Sequence, residues 1–215
     1  MVLVLALQAN LGLRDCLLAS VVGLWTTRLG WSLVKRIRQD QSDRRFDALK
    51  PDFAKFLMAW TLQGFWVFLT LAWPLAAMTG TQNAPMDRLG WTGVAIWTAG
   101  FLIEIVADQQ KRKFRAIPEN HGRFITQGLW AWSRHPNYLG EITLWLGIAM
   151  LAFAELSSWQ LATLISPFFV FVLLTRVSGV PLIESHADAK WGHESAYQSY
   201  KERTPTLFPR PPASG

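Results

Sequence analysis

The chain has 215 residues, 51% of them apolar, with 12 tryptophans and 21 lysines and arginines against 15 acids, a formal charge of +6. A single cysteine excludes an intrachain disulfide and any multi-cysteine metal centre. The apolar residues fall in blocks near the ~20 that cross a bilayer core, so the basic balance reports membrane orientation and not nucleic-acid binding.

In chain order, the opening "MVLVLALQA" is apolar but too short to span, and reads as the tail of an incomplete N-terminal span. No charged region precedes it, so it is not a cleavable signal peptide. Five full spans follow, at Cys16–Val34, Phe56–Met78, Gly90–Ala107, Tyr138–Leu156 and Trp159–Val177. Of the 21 basic residues, 18 lie in Lys35–Lys55, Asp108–Asn137 and the tail from Arg176, while "TGTQNAPMDR" and "AELSS" carry only Arg88. The positive-inside rule makes the three basic segments cytoplasmic, in agreement with the alternation of the spans. The expected fold is an all-α polytopic membrane bundle: one domain over 1–208, a cytoplasmic C-terminal helix and a disordered tail at 209–215. Its expected setting is a bacterial inner membrane, or the endoplasmic reticulum of a eukaryote, with the lipid bilayer as partner.

Polar residues inside spans are functional candidates because they are costly there. Arg28 lies two-thirds along the first full span, near enough to the cytoplasmic surface to snorkel. Gln63, beside Gly64, is a candidate for a substrate pocket or for a bond to a neighbouring helix. Glu104 and Asp108 are four residues apart, so two like charges share one helix face, and Asp108, Lys111 and Arg115 continue that stripe out of the membrane. This pattern reads either as a positive-inside cluster with salt bridges or as a wall for a hydroxylated, anionic ligand.

"WSRHPNYLGE", Trp132 to Glu141, is the densest polar stretch, set directly before an apolar run. Pro136 suits the first position of a helix, with His135 at the cap, and the unpaired N–H groups of that turn are suited to an anion. Arg134, Asn137, Tyr138 and Glu141 then converge at one helix end, as a ligand site requires. Trp132 and Tyr138 also suit an interfacial aromatic belt, which leaves Asn137 and Glu141 unaccounted for. The tail "PLIESHADAKWGHESAYQSYKERTPTLFPR" reads as one polar helix ending at Thr204–Pro205, with Glu184, His186, Tyr197 and Tyr200. No zinc or iron spacing and no glycine-rich phosphate loop is present.

"ADQQKRKFR…GRFITQGLWAWSRHPNYLGEITLWLGIAML…PLIES…Y..Y" resembles the C-terminal domain of the membrane steroid 5α-reductase family, in particular its bacterial branch. It is also similar to sterol reductases, which share an R-H-x-N-Y-x-G core followed by an acid. The resemblance runs from about Gly23 to Phe208 and is most specific from Asp108 to Glu141. It implies NADPH-dependent reduction of a carbon–carbon double bond in a lipophilic, steroid-like small molecule. It implies cofactor binding by Asp108, Lys111, Arg115, Arg134, His135, Asn137, Tyr138, Glu184, Tyr197 and Tyr200. It implies catalysis by Tyr138 and Glu141, and substrate contacts from Trp25, Gln63 and Glu104, with no metal. Members hold the substrate carbonyl with a Gln-Glu pair on an early segment and a tyrosine in the next span. The pair has no match here, and Trp25 stands at the tyrosine position, so a steroid is not implied as the particular substrate. The turn also resembles the R-H-P-x-Y of isoprenylcysteine-carboxyl-methyltransferase-like proteins, which use S-adenosylmethionine. "ADQQKRKFR" and Asn137 are the features that favour the reductases.

Overall fold

The structure, a computed structural model, describes residues 12–40, 51–78, 84–177 and 179–212. The apolar "MVLVLALQA" lies outside the described residues, as do 213–215. Among the described residues all regular structure is helical. The helices are α1 (Leu13–Asp40), α2 (Phe53–Met78), α3 (Arg88–Ala116), α4 (Pro136–Ala152), α5 (Ile165–Val172), α6 (Val180–Trp191) and α7 (Ser195–Arg203). Short 3-10 turns at Phe153–Glu155 and Ser158–Leu164 precede α5, and a π turn at Leu173–Val177 follows it. Five stretches are long and apolar enough to cross a membrane: Leu13–Lys35, Phe53–Met78, Arg88–Ala116, Pro136–Glu155 and Gln160–Trp191. The five expected spans are therefore present.

Local chemistry sets the helix starts. Asp52 caps α2 by accepting from the backbone N–H groups of Ala54 (3.1 Å) and Lys55 (3.2 Å). Asp87 caps α3 through the Gly90 N–H at 2.8 Å. Pro136 opens α4, as its fixed φ and missing N–H favour. The tail departs from the expected single helix, because the chain turns at Gly192–Glu194 and starts again as α7. Gly192 packs on the Asp188 carbonyl so closely that a Cβ would collide with it, and its N–H returns to the same carbonyl at 2.9 Å.

The chain divides into two compact units, Met1–Trp91 with Ile148–Ser166, and Thr92–Gly147 with Pro167–Gly215. In the first, α2 packs on α1 and on the two 3-10 turns, with Leu18, Val22, Trp25, Trp73, Ala77 and Met78 buried. Its polar centre is Arg14, 1% exposed. That guanidinium donates to the carbonyls of Leu151 (2.6 Å) and Pro85 (2.7 Å) and to Asp87 Oδ1 (3.0 Å). Glu155, 2% exposed, stands 3.7 Å from Arg14 Nε and accepts the Ala84 N–H at 2.9 Å. A buried charge is tolerated only when so fully partnered. The second unit carries the polar stretches singled out above.

Candidate active site

In the second unit α3 and α4 touch backbone to backbone. A Cβ at Gly140 would lie 2.7 Å from both Glu104 N and Gly100 O, and one at Gly100 would lie 2.5 Å from Leu144 N. Gly147 meets Trp97 N in the same way. Only glycine permits this approach, which is the usual way two membrane helices gain van der Waals contact. The crossing is antiparallel and puts buried Glu104 level with Gly140 and hence beside the Asn137–Glu141 turn. The charges of Glu141 and Asp108 both act on Tyr138, and those of Asp108 and Arg115 on Lys111.

The connection from α3 to α4 is clamped onto the end of α3. Trp130 Nε1 donates to the Ala107 carbonyl (3.0 Å), and the Leu129 N–H donates to Gln110 Oε1 (2.9 Å). Gly128 has φ +61°, a left-handed conformation that favours glycine, and a Cβ there would displace the Gln110 amide that accepts the Leu129 N–H. Lys111 Nζ sits 4.6 Å over the Trp130 ring, a cation–π contact that fixes this lysine at the site.

The Trp132–His135 turn is held by the chain end. Ser133 Oγ donates to Leu207 O (2.9 Å) and accepts the His135 N–H (3.2 Å), while the Arg134 N–H donates to Pro205 O (2.9 Å). The Arg134 side chain donates through Nη1 to Glu184 Oε2 and through Nη2 to Thr206 Oγ1, both at 2.6 Å. His135, 4% exposed, meets Glu184 Oε1 through Nε2 at 2.8 Å and stacks on Tyr138 with ring centres 5.7 Å apart. Phe124 gathers Trp191, Tyr197 and Tyr200 around it at 5.2–5.8 Å. Tyr200 donates to the Trp130 carbonyl at 2.8 Å and Tyr197 to Asp188 at 3.2 Å. Burial pushes both phenols above the ordinary tyrosine range, so both stay protonated donors.

The structure thus brings Arg134 and His135 into direct contact with Glu184, and puts Tyr138 within electrostatic reach of Asp108 and Glu141. Asn137 is half-buried on the same turn, and Arg115 is exposed at the end of α3. Tyr197 and Tyr200 belong to the same unit but spend their hydroxyls on internal partners. Trp25, buried on α1, and Gln63, exposed on α2, belong to the first unit. Sequence reading missed Trp130, Ser133 and Thr206. Ser133 is adjacent to the polar turn and could have been found there, but nothing in spacing links Thr206 to Arg134 across 72 positions.

A family model described as "Protein of unknown function (DUF1295)" matches residues 1–204. An uncharacterised protein of Schizosaccharomyces pombe is 23% identical over 92% of this chain and 64% of its own length. 3-Oxo-5-alpha-steroid 4-dehydrogenase 1 of Rattus norvegicus is 30% identical, and that of Bos taurus 31%, each over 55% of this chain and 40% of the relative. The chain therefore spans less than two thirds of the length of these relatives. No solved structure is a significant match. With all but the last eleven residues covered by the family model, the chain belongs to the DUF1295 family.

Proposed function

We propose that this chain is a membrane-embedded reductase that uses NADPH to saturate a carbon–carbon double bond in a lipophilic enone, steroid-like or other. The observation that carries the reading is the convergence of Asp108, Lys111, Arg134, His135, Tyr138 and Glu141 where two apolar helices meet. The partial likeness to 3-oxo-5-alpha-steroid 4-dehydrogenases supports it. The methyltransferase alternative gains nothing from these relatives.

The residues fit a dinucleotide phosphate. Lys111 and Arg115 supply cations for phosphate oxygens, and Asp108, Asn137 and Glu141 supply acceptors for ribose hydroxyls and a carboxamide. Arg134 Nε is buried and has no partner among the described residues, so one donor of the turn remains for a ligand oxygen. When bound, NADPH supplies the hydride. The chain's own contribution is to orient: the Tyr138 hydroxyl is the donor for a substrate carbonyl, within the field of Glu141. The basic residues around Asp108–Asn137 orient this end toward the cytoplasm.

The test is thermal unfolding of the purified chain in detergent micelles with NADPH or S-adenosylmethionine, followed by NADPH oxidation over a panel of steroid and non-steroid enones. A ligand at 100 times its dissociation constant adds about 2.7 kcal/mol of stability. NADPH should stabilise the chain and slow hydrogen exchange over 108–115. Stabilisation by the methyl donor alone overturns the reading.

A further inference from the structure

Both oxygens of Glu184 are already engaged within its unit. Oε2 accepts Arg134 Nη1 at 2.6 Å and lies 3.7 Å from Lys201 Nζ, while Oε1 faces His135 Nε2 at 2.8 Å. Thr206 Oγ1 takes Arg134 Nη2 at 2.6 Å. The internal contacts therefore use one edge of each basic side chain. Arg134 Nε remains, buried and without a hydrogen-bond partner among the described residues, and the contact of His135 with Glu184 uses Nε2 and leaves Nδ1 out of it.

A carboxylate can only accept, and a neutral imidazole has one donor nitrogen and one acceptor. The ring nitrogen that faces Glu184 must then carry the proton, since the other tautomer would set a lone pair against a negative charge in a buried place. From this geometry we infer that Glu184 is a positioning residue and not a cofactor ligand. With the His135 ring neutral, it keeps the proton on Nε2 and presents Nδ1 as an acceptor for a hydroxyl or carboxamide N–H of the bound ligand. The identity of that ligand rests on the reductase reading. The tautomer does not.

The experiment is nitrogen NMR of the full chain, labelled with ¹⁵N-histidine, in nanodiscs at pH 8, with the four histidines assigned by single substitution. His135 should show a protonated Nε2 and an unprotonated Nδ1. Glu184→Gln should invert this pattern. Arg134 only donates, so the amide oxygen faces Arg134 and the NH₂ faces His135 Nε2, which must then be the lone-pair nitrogen. The same variant should raise the NADPH dissociation constant at least tenfold, whereas Thr206→Ala should keep the wild-type tautomer. A wild-type His135 protonated on Nδ1, or a tautomer unchanged in Glu184→Gln, overturns the inference. The wild-type spectrum decides alone if that variant does not fold. If NADPH neither binds nor moves the Nδ1 resonance while the tautomer is as stated, the dinucleotide reading fails and the positioning role stands.

Discussion

Replacing Gly140 with alanine adds one methyl group where α3 and α4 touch. The new carbon would lie 2.7 Å from Glu104 N and Gly100 O and 3.0 Å from Glu104 Cα, where ordinary contact begins at 3.4 Å. All three neighbours are backbone atoms of α3, so no side-chain rotation relieves the clash, and the helices must separate by about 0.7 Å or tilt. Overpacking of this kind costs about 1–3 kcal/mol, which for a chain of this size lowers the midpoint of thermal unfolding by roughly 2–12 °C. The consequence for the proposed activity is larger. The same movement shifts Glu104 and Asp108 against Asn137–Glu141, and a misplacement near 1 Å can cost ~10²-fold in rate. The assay is thermal unfolding alongside NADPH-dependent turnover, with Leu146→Val, on an exposed position of α4, as the control. A Gly140→Ala protein with the melting point and turnover of the unaltered chain would refute the backbone contact.

Arg14→Met should destabilise the first unit by about 3–5 kcal/mol, read by chemical unfolding, because it leaves Glu155 buried beside three carbonyls that have lost their donor. Asp87 is held below the usual carboxylate value of 3.8 by the Gly90 N–H and then by Arg14. Its contribution is full above pH 3.8 and is lost as pH falls through the lowered value, so acid unfolding below pH 3.8 should steepen in the unaltered chain and not in Asp87→Asn. Arg115→Gln should weaken NADPH about tenfold with no change in melting temperature, since Arg115 is exposed, whereas Arg134→Gln should lower both. Equal melting losses in the two variants would contradict the internal role of Arg134.

The spans were legible because a bilayer demands ~20 apolar residues and tolerates few charges, and each block showed this on its own. The start of α4 was legible because Pro136 can occupy few other places in a helix. Helix ends were not. α1 runs on to Asp40 and α3 to Ala116, since charged residues stop a span but not a helix. The break at Gly192 was missed because the amphipathic pattern continues across it. Gly93 and Gly100, like Gly140 and Gly147, recur at intervals of seven, which suits one helix face. The sequence does not say which helix that face meets. The least legible feature was the partner of each charge. Arg134, His135 and Glu184 were all singled out as cofactor-site residues, but nothing in the sequence pairs Arg134 and His135 with Glu184 about 50 positions away.

That mutual engagement changes how the proposed site would divide its work. An arginine recognises phosphate best through a planar fork of two N–H groups. Arg134 has already given both terminal nitrogens to Glu184 and Thr206, so it can offer a ligand one bond from Nε and no fork. Paired with a carboxylate 2.6 Å away, it also brings little net charge. Phosphate binding on this reading therefore falls to Lys111 and Arg115 on the last turns of α3. Lys111 is placed by the Trp130 ring, which is itself fixed to Ala107 by its indole N–H. The polar turn that dominates the sequence would then act as the joint between α4 and the chain end, keeping Asn137, Tyr138 and Glu141 in register with Asp108. A site built this way loses ligand affinity when its joint is cut, even where the severed residue never touches the ligand.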